Sequence, residues 1–382
     1  MSRRVVITGA GIISSIGVGV DEFWRQCLQA QSAVAPIPEP WFRYADFHSR
    51  LWSPLPEIDP ESFGVSRPER LQLDPVSVLA IGAAREALER AGFTLVPSAT
   101  HSRALALAGI DAARIGVYLG TGIGGAHSFL DNHSFHLFQR ARATLKAYAQ
   151  ERPPAEGSEA LDNVLASMAH GRRYHPFVVS MLMPNAASAA VGIKFSTTGP
   201  NVTSCVACSA GTVAVGHAYR AVRDAHVDMA VTGGSEYLYD EHGHIFRGFD
   251  VAGTLVRDCA DPKGANRPFD EKRSGFLFSQ GGAAILVLEE LEHARRRGAS
   301  ILAEIIGYAE TFDAHSMMSM PAGGEQVERM MRLVLADAGV AADEVDYINA
   351  HGTGTEINDR VEAEAIDRVF GRRVLVNTTK SL

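Results

Sequence analysis

The sequence predicts an α/β fold made of two similar halves. Short runs of apolar and β-branched residues alternate along the chain with longer stretches whose apolar residues recur at helical spacing. Several of the short runs end in glycine, proline or small polar residues, as strands do where they leave a sheet. With 382 residues, of which 46% are hydrophobic, the chain can bury a large core and support two subdomains.

The predicted strands divide into two groups. Glycine, charge and a turn cluster around residues 251–261, and we therefore predict an N-terminal half of residues 1–255 and a C-terminal half of residues 256–382. The strands of the first half are residues 5–8, 115–119, 202–206 and 229–232, and those of the second half are residues 284–288, 303–308, 345–349 and 374–376.

Cys208 lies where a predicted strand meets a predicted helix. Gly199 and Pro200 precede a short β-rich run, and the apolar residues after Cys208 recur at helical spacing. The unpaired amides and the dipole of a helix N-terminus favour a thiolate over a thiol, and the thiolate is the reactive form. Cys208 is therefore a candidate nucleophile, with a buried structural cysteine as the plainer alternative.

Cys205 and Cys208 also have the Cys-x-x-Cys spacing of a redox dithiol or of half a zinc site. A zinc site needs a second pair of ligands, whereas Cys27 and Cys259 are isolated in the sequence. Residues three apart in a strand point to opposite faces, so the two sulfurs need not converge. We therefore predict neither a metal site nor a redox cofactor.

Two further polar residues follow predicted strands. His351 comes after the run at 345–349, which is predicted to be a buried strand, and its loop contains glycines that permit unusual backbone angles. Lys380 follows the strand at 374–376 and is placed to hold or polarise a catalytic neighbour, with a solvated surface lysine as the plainer alternative. Polar residues at several strand ends are typical of sites whose chemistry is carried by loops.

Four motifs together resemble those of the β-ketoacyl-ACP synthases. The resemblance extends from Arg4 to the last residue and is strongest to the elongating type II branch of fatty acid and polyketide synthesis. It implies a thiolase-like fold of five layers, αβαβα. The motifs are Cys-Ser-Ala-Gly from Cys208 after Gly-Pro-Asn, Arg-Pro-Phe-Asp from Arg267, His-Gly-Thr-Gly-Thr from His351 followed by Asp359 and Glu362, and Thr-Lys-Ser around Lys380.

The resemblance also implies roles. Cys208 matches the nucleophile that accepts an acyl chain from acyl carrier protein, His351 the first active-site histidine, and Lys380 the active-site lysine. In such enzymes malonyl-ACP loses carbon dioxide, and the resulting enolate attacks the cysteine thioester while histidine and backbone amides stabilise the oxyanions. The implied partners are loaded acyl carrier protein and a second ketosynthase chain, identical or related, with no cofactor.

The sequence departs from the family pattern at three places. Family members continue beyond Lys-Ser through Gly-His, the second catalytic histidine, whereas this sequence stops at Leu382. We expect a C-terminal half that is completed by further residues or by a partner chain, with a degenerate homologue as the third alternative. Gln280 replaces an acidic residue, and an arginine-rich insertion around residues 134–175 is expected to be a solvated segment or to shape partner docking or the acyl tunnel.

Two other classes of function were kept open by the sequence. Residues 5–11 resemble the start of a dinucleotide-binding fingerprint, but Ser14 occupies the third glycine position, which argues against an NAD enzyme. A chain-length-setting or scaffold subunit of a ketosynthase pair resembles the synthase but lacks its nucleophile. Cys208 favours the enzyme, whereas the missing second histidine favours the scaffold subunit.

Composition and charge exclude several partners. The formal net charge of -8 argues against nucleic acid, and no apolar stretch is long enough to cross a membrane. Four cysteines without framework spacing, and an N-terminal apolar run interrupted by glycine, predict a cytoplasmic protein. Because acyl carrier proteins are acidic too, docking requires a local basic patch, for which Arg67 and Arg70 are the candidates.

Overall fold

The computed structural model describes residues 3–150, 174–257, 261–316 and 319–382. The first part of the predicted insertion belongs to a helix that ends at Gln150, and the rest of it up to residue 173 lies outside the described ranges. Within those ranges, no helix combines the length and the apolar character that spanning a bilayer requires.

Strands and helices alternate along the described chain, as the sequence predicts. The strands are β1 (Val5–Ser14), β2 (Gly17–Val18), β3 (Ala35–Pro36), β4 (Leu51–Ser53), β5 (Leu95–Pro97), β6 (Leu105–Leu107), β7 (Ile115–Gly120), β8 (Asn201–Ser204), β9 (Met229–Tyr237), β10 (Phe278–Ser279), β11 (Gly281–Glu290), β12 (Ala303–Ile305), β13 (Tyr347–Asn349) and β14 (Leu375–Asn377). The α-helices are α1 (Val20–Leu28), α2 (Arg67–Arg70), α3 (Pro75–Arg90), α4 (Ala126–Gln150), α5 (Val178–Leu182), α6 (Ala186–Lys194), α7 (Ala210–Arg223), α8 (His244–Val251), α9 (Leu291–Arg296), α10 (Glu325–Ala338) and α11 (Glu356–Phe370).

A large mixed sheet organises the first half. Its strands run in the order β12-β1-β11-β9-β7-β8, and β2 pairs with β1 beside this path. β7 is parallel to both β8 and β9, whereas β11 is antiparallel to both β1 and β9. β8 is therefore an edge strand of this sheet, and β9 and β7 lie inside it.

Helices cover both faces of the large sheet. α3 and α6 share one hydrophobic cluster with the sheet, which includes Ile81, Val191 and Val231. α7 packs on the opposite face, where Tyr219 and Val222 belong to a second cluster. The sheet is thus buried on both sides, as expected for strands that read as continuous apolar runs.

Glycines in β1 allow α3 to approach the sheet closely. A Cβ built at Gly9 would lie 2.1 Å from the carbonyl oxygen of Ala87, and one at Gly11 would lie 2.0 Å from that of Ala83. Both distances are far below van der Waals contact, so only glycine fits at these positions. The glycines that resemble a dinucleotide fingerprint therefore serve the packing of a helix on a strand.

The described strands of the second half form a small sheet. β13 and β14 are parallel, and α10 and α11 cover them through a cluster that contains Met331, Ile348 and Ile366. The prediction of a buried strand at 345–349 is wrong, because Tyr347 is 51% exposed and Leu375 on the neighbouring strand is 70% exposed. The helices cover one face of this pair of strands, and the other face is accessible.

The large sheet takes strands from both sides of the predicted boundary at residues 255 and 256. β11 and β12 follow the boundary in sequence, yet both pair with β1. The division of the chain at this point stays a prediction.

Candidate active site

Cys208 lies in a tight turn between β8 and α7. β8 ends at Ser204, a 3-10 turn covers Ala207–Ser209, and the helix follows directly. The backbone of Ala207 has a φ of +50°, a left-handed conformation that costs a non-glycine residue about 1–2 kcal/mol. Cys208 is an exposed free thiol. Its predicted position between a strand and a helix is confirmed, and the alternative of a buried cysteine is wrong.

The first turn of α7 lies directly against the end of β7. A Cβ built at Gly120 would lie 2.1 Å from the carbonyl carbon and oxygen of Ala210. Glycine at the strand end therefore lets the helix, and the turn before it, reach the edge of the sheet. The Cys205 Sγ contacts the carbonyl oxygen of Gly122 at 3.2 Å, so Cys205 has a partner of its own in the neighbouring loop.

His351 follows β13 in a loop that a carboxylate holds by its backbone. Glu362 Oε1 accepts a hydrogen bond from the His351 N–H at 2.7 Å, and Oε2 accepts one from the Gly352 N–H at 2.8 Å. Gly352 has a φ of +44°, and a Cβ there would lie 2.7 Å from Thr378 Cγ2. The loop therefore requires glycine at this position for both conformation and space.

A second carboxylate joins this loop to the Arg-Pro-Phe-Asp motif. Asp359 is 1% exposed, and it accepts hydrogen bonds from the backbone N–H groups of Thr353 at 3.0 Å, Gly354 at 3.1 Å and Phe269 at 2.7 Å. The sequence analysis includes Asp359 and Glu362 in the motif but assigns them no role. Their spacing of three residues, which places both on one face of α11, is the available signal.

Lys380 contacts the same histidine from the end of β14. Its Nζ donates to the carbonyl oxygen of His351 at 2.7 Å, and Asn266 Nδ2 donates to the carbonyl oxygen of Lys380 at 2.6 Å. Burial lowers the pKa of Lys380, against the opposite effect of nearby Glu362 and Cys208. Lys380 is an exposed residue, yet its Nζ is held at the His351 loop, and its role in the site stays a prediction.

His351 is an exposed residue that borders a cavity. Partial burial lowers the pKa of His351 and the neighbouring Lys380 cation lowers it further, against the opposing effects of Glu362 and Asp359. The imidazole is therefore neutral at pH 7, with one ring N–H to donate and one ring nitrogen to accept. Such a group can donate a hydrogen bond to an oxygen on which negative charge develops.

The three predicted site residues line one cavity. Cys208, His351 and Lys380 all border a space of about 370 Å³. They reach it from three separate segments, namely the turn before α7 and the loops after β13 and β14. The structure therefore brings together side chains that are up to 172 positions apart in the sequence.

A second cavity meets the first at Cys208. It has a volume of about 570 Å³ and is lined mainly by apolar and small residues of β1, β7, β9 and β11. Glu236 is the charged residue in its lining, and its carboxylate accepts hydrogen bonds from Thr121 Oγ1 and the Ile123 N–H, each at 3.2 Å. Burial raises the pKa of Glu236. Cys208 thus lies between the cavity that also carries His351 and Lys380 and a larger cavity whose lining is more uniformly apolar.

Gln280 occupies the position where the family usually has an acid. Its Oε1 accepts a hydrogen bond from the Leu55 N–H at 3.0 Å, and its Nε2 lies 3.2 Å from the hydroxyl of Tyr237. Both ends of the amide therefore have partners. The substitution replaces a charge with a satisfied neutral group.

The fold and the site together define a class of protein. A cysteine at a strand–helix turn of a helix-covered sheet, facing a histidine and a lysine on loops of a second sheet, is the arrangement of thiolase-like condensing enzymes. The family description "Beta-ketoacyl synthase, N-terminal domain" matches residues 2–294, and "Beta-ketoacyl synthase, C-terminal domain" matches residues 302–382. The chain therefore belongs to the β-ketoacyl synthase family of acyltransferases.

Relatives with known names agree with this family. The 3-oxoacyl-[acyl-carrier-protein] synthase 2 of Coxiella burnetii is 33% identical over 383 residues, which cover 100% of this chain and 81% of the relative. A β-ketoacyl synthase from Burkholderia phymatum superposes with a TM-score of 0.78 at 28% identity, covering 99% of this chain and 81% of that one. The ishigamide ketosynthase/chain length factor superposes with a TM-score of 0.76 at 28% identity, covering 100% and 81%.

Proposed function

We propose that the protein is a β-ketoacyl-ACP synthase of fatty acid or polyketide synthesis, which condenses an acyl chain held on Cys208 with malonyl-ACP. The observation that carries this proposal is the cavity shared by Cys208, His351 and Lys380. The names of the relatives support it, since those proteins are 3-oxoacyl-[acyl-carrier-protein] synthases.

The first half-reaction loads the cysteine. The Cys208 thiolate attacks the carbonyl carbon of an acyl-ACP thioester, the bond to the carrier sulfur breaks, and the carrier leaves as a thiol after it takes up a proton. Backbone amides at the start of α7 can donate hydrogen bonds to the oxyanion that forms on the way. The mainly apolar cavity beside Cys208 accommodates the chain.

The second half-reaction forms the new carbon–carbon bond. Malonyl-ACP loses carbon dioxide, and the electron pair of the broken bond remains as an enolate on the carrier thioester. The enolate attacks the acyl carbonyl and Cys208 leaves as a thiolate. The neutral His351 ring donates a hydrogen bond to the enolate oxygen, whereas Lys380, bonded to the His351 carbonyl oxygen, acts as a positioning residue.

Carrier docking is proposed at the two arginines of α2. Arg67 and Arg70 are exposed, and their helix is fixed by the buried Lys194, whose Nζ bonds to Glu69 at 3.0 Å. A fixed pair of cations suits an acidic partner. A solved structure described as a type II PKS acyl-carrier protein in complex with its ketosynthase superposes on this chain with a TM-score of 0.70 at 26% identity and covers 100% of it and 81% of that chain.

The alternative is a chain-length-factor-like or scaffold partner of an active ketosynthase. The exposed thiol of Cys208 favours the enzyme, because a subunit without catalysis has no need of a nucleophile at this turn. We further propose a cytoplasmic location, which the free thiols of Cys27, Cys205 and Cys208 support.

Acyl transfer tests the proposal directly. The protein is incubated with acyl-ACP of several chain lengths, and the adduct is mapped by mass spectrometry. We expect a thioester on Cys208, its loss in Cys208→Ala, and its retention in the matched control Cys205→Ala. An adduct on Cys205, or no adduct at any chain length, would contradict the proposal.

A further inference from the structure

A cluster of metal-ligating side chains lies outside the proposed active site, between β9 and α8. Asp240, His242 and His244 each place one ligand atom within 4.8 Å of the ligand atoms of the other two. The three residues are every second residue of one five-residue segment, which leads from β9 into α8. We infer that this cluster is a binding site for a divalent transition-metal ion such as Zn²⁺.

The carboxylate of the cluster is held in one orientation. Asp240 is 1% exposed, its Oδ1 accepts hydrogen bonds from the N–H groups of His242 at 3.1 Å and His244 at 2.9 Å, and its Oδ2 accepts one from Ile245 at 2.9 Å. An ionised carboxylate has about four lone-pair sites. Oδ2, with a single amide partner among these contacts, is the oxygen that is best able to bind a metal ion.

The two imidazoles are also positioned by contacts. The His242 ring packs edge-on against Tyr44, with ring centroids 4.4 Å apart. The Nδ1 of His244 lies 3.1 Å from Asp240 Oδ1. Nδ1 is thus a ring nitrogen that faces the carboxylate, and an ion shared with Asp240 would bind it in place of this contact.

The surroundings of the cluster are acidic. Glu241 lies between the ligands, and its backbone N–H donates to Asp131 Oδ1 on α4 at 3.2 Å. Negative charges that repel one another at close range are stabilised by a bound cation.

The donor set selects the metal. Two imidazoles and one carboxylate suit Zn²⁺, Co²⁺, Ni²⁺ or Cu²⁺, whereas Ca²⁺ and Mg²⁺ prefer oxygen ligands throughout. Tetrahedral Zn²⁺ requires ligand atoms roughly 3.3 Å apart, and rotation of the exposed His244 ring can close the remaining distance. Three protein ligands leave one position for water.

A metal ion at this site would stabilise one side of the larger cavity beside Cys208. Asp240 caps the first turn of α8, and Phe249 on the same helix lines that cavity beside Cys208. A metal ion shared by the turn and the helix start therefore couples the stability of α8 to metal binding. This inference does not depend on the proposed function.

Metal titration tests the inference. Exposed thiols compete for Zn²⁺, so Cys205 and Cys208 are first alkylated in the full chain. Zn²⁺ is then titrated against a chromophoric chelator. We expect one site per chain, at least a tenfold loss of affinity in His244→Ala and in His242→Ala, and unchanged affinity in the control His226→Ala, which removes an exposed histidine elsewhere.

If the His242 variant does not fold, zinc X-ray absorption spectroscopy on the wild-type protein identifies the ligands without a substitution. The expected spectrum shows nitrogen and oxygen ligands with the scattering pattern of two imidazoles. The absence of a stoichiometric site, or affinity that His244→Ala leaves unchanged, overturns the inference. A spectrum without imidazole scattering does so as well.

Discussion

At the scale of single residues, the orientation of His351 depends on a carboxylate that never touches its ring. Glu362 accepts the backbone N–H groups of both His351 and Gly352. It therefore fixes the direction in which the loop leaves β13. Removal of one acceptor leaves a donor without its partner, which costs about 1–3 kcal/mol where water cannot replace it.

Glu362→Gln is predicted to slow condensation while cysteine loading continues. The amide retains one carbonyl oxygen, so one of the two loop N–H groups loses its acceptor and the His351 ring shifts. We expect the condensation rate to fall roughly 10- to 100-fold, since displacements of about 1 Å have effects of this size. Single-turnover assays measure the two rates separately, one by acyl transfer to Cys208 and the other by formation of the condensed product.

The matched control for this prediction is Glu364→Gln on the same helix. Its side chain is 48% exposed and lies near Arg360 at 3.8 Å. A surface pair of this kind contributes little, so both half-reactions should keep their rates. Equal losses of loading and condensation in Glu362→Gln would show a general structural defect and not a positioning role.

Cys208, His351 and Lys380 are predictable from the sequence because each follows a short strand that local patterns reveal. Asp359 and Glu362 belong to a recognisable motif, but their role is not predictable. Their partners are backbone N–H groups of a loop, and the pattern of side chains does not encode the path of that loop. The same holds for Asn266, which acts on a carbonyl oxygen 114 positions away.

At the scale of elements, the pairing of β1 with β11 encloses a charged cluster. Glu289 is 0% exposed, and it contacts Thr8 on β1 together with His293 and Arg297 after β11. Although burial alone raises its pKa, the hydrogen bonds from Arg297, His293 and Thr8 lower the pKa of Glu289 from 4.5 to about 2. The folded state therefore favours the ionised carboxylate more than the unfolded state does.

This cluster predicts a specific acid sensitivity. A carboxyl group with a lowered pKa stabilises the fold above pH 4.5, and this contribution disappears as the pH falls toward about 2. The difference corresponds to roughly 3 kcal/mol, at about 1.4 kcal/mol for each pH unit. In Glu289→Gln we expect the free energy of unfolding at pH 7 to fall by roughly that amount, with a weaker dependence on pH below 4.5.

Urea unfolding between pH 7 and pH 3 measures both effects. The control is Glu292→Gln, whose side chain is 59% exposed and pairs with Arg295. It should unfold like the wild type at each pH. An unchanged pH dependence in Glu289→Gln would show that the carboxylate is not the origin of the acid sensitivity.

Elements of the large sheet are predicted better than the others. The strands expected at 115–119 and 229–232 lie within β7 and β9, because continuous apolar runs identify buried strands. The strand expected at 303–308 ends at Ile305. The small sheet of β3, β4 and β10 has no counterpart in the prediction, since strands of two or three residues are too short to show a period.

At the scale of the whole molecule, β8 is an unprotected edge in the described structure. It pairs with β7 on one side, and Val202 is 40% exposed. An edge strand with an exposed apolar residue is a template for pairing with another chain. We propose that two ketosynthase chains, identical or related, meet along this strand about a two-fold axis.

Val202→Glu is predicted to weaken the dimer. In a symmetric pair the substitution places two like charges near the axis, so we expect the dimer dissociation constant to rise at least 100-fold in analytical ultracentrifugation, which is roughly 3 kcal/mol. Val18→Glu is the control, because Val18 is similarly exposed, at 39%, but lies on β2. A wild-type monomer at micromolar concentration, or an unaffected Val202→Glu dimer, would contradict the proposed interface.

The meeting of two cavities at the sulfur of Cys208 has a kinetic consequence. Under the proposed function, the chain loaded in the first half-reaction lies in the larger cavity and leaves the smaller one vacant for the second substrate. The first carrier has already left as a thiol when the second substrate binds, and this departure imposes a ping-pong order. A compound that fills only the larger cavity would act as a competitive inhibitor toward acyl-ACP and leave decarboxylation of malonyl-ACP unaffected.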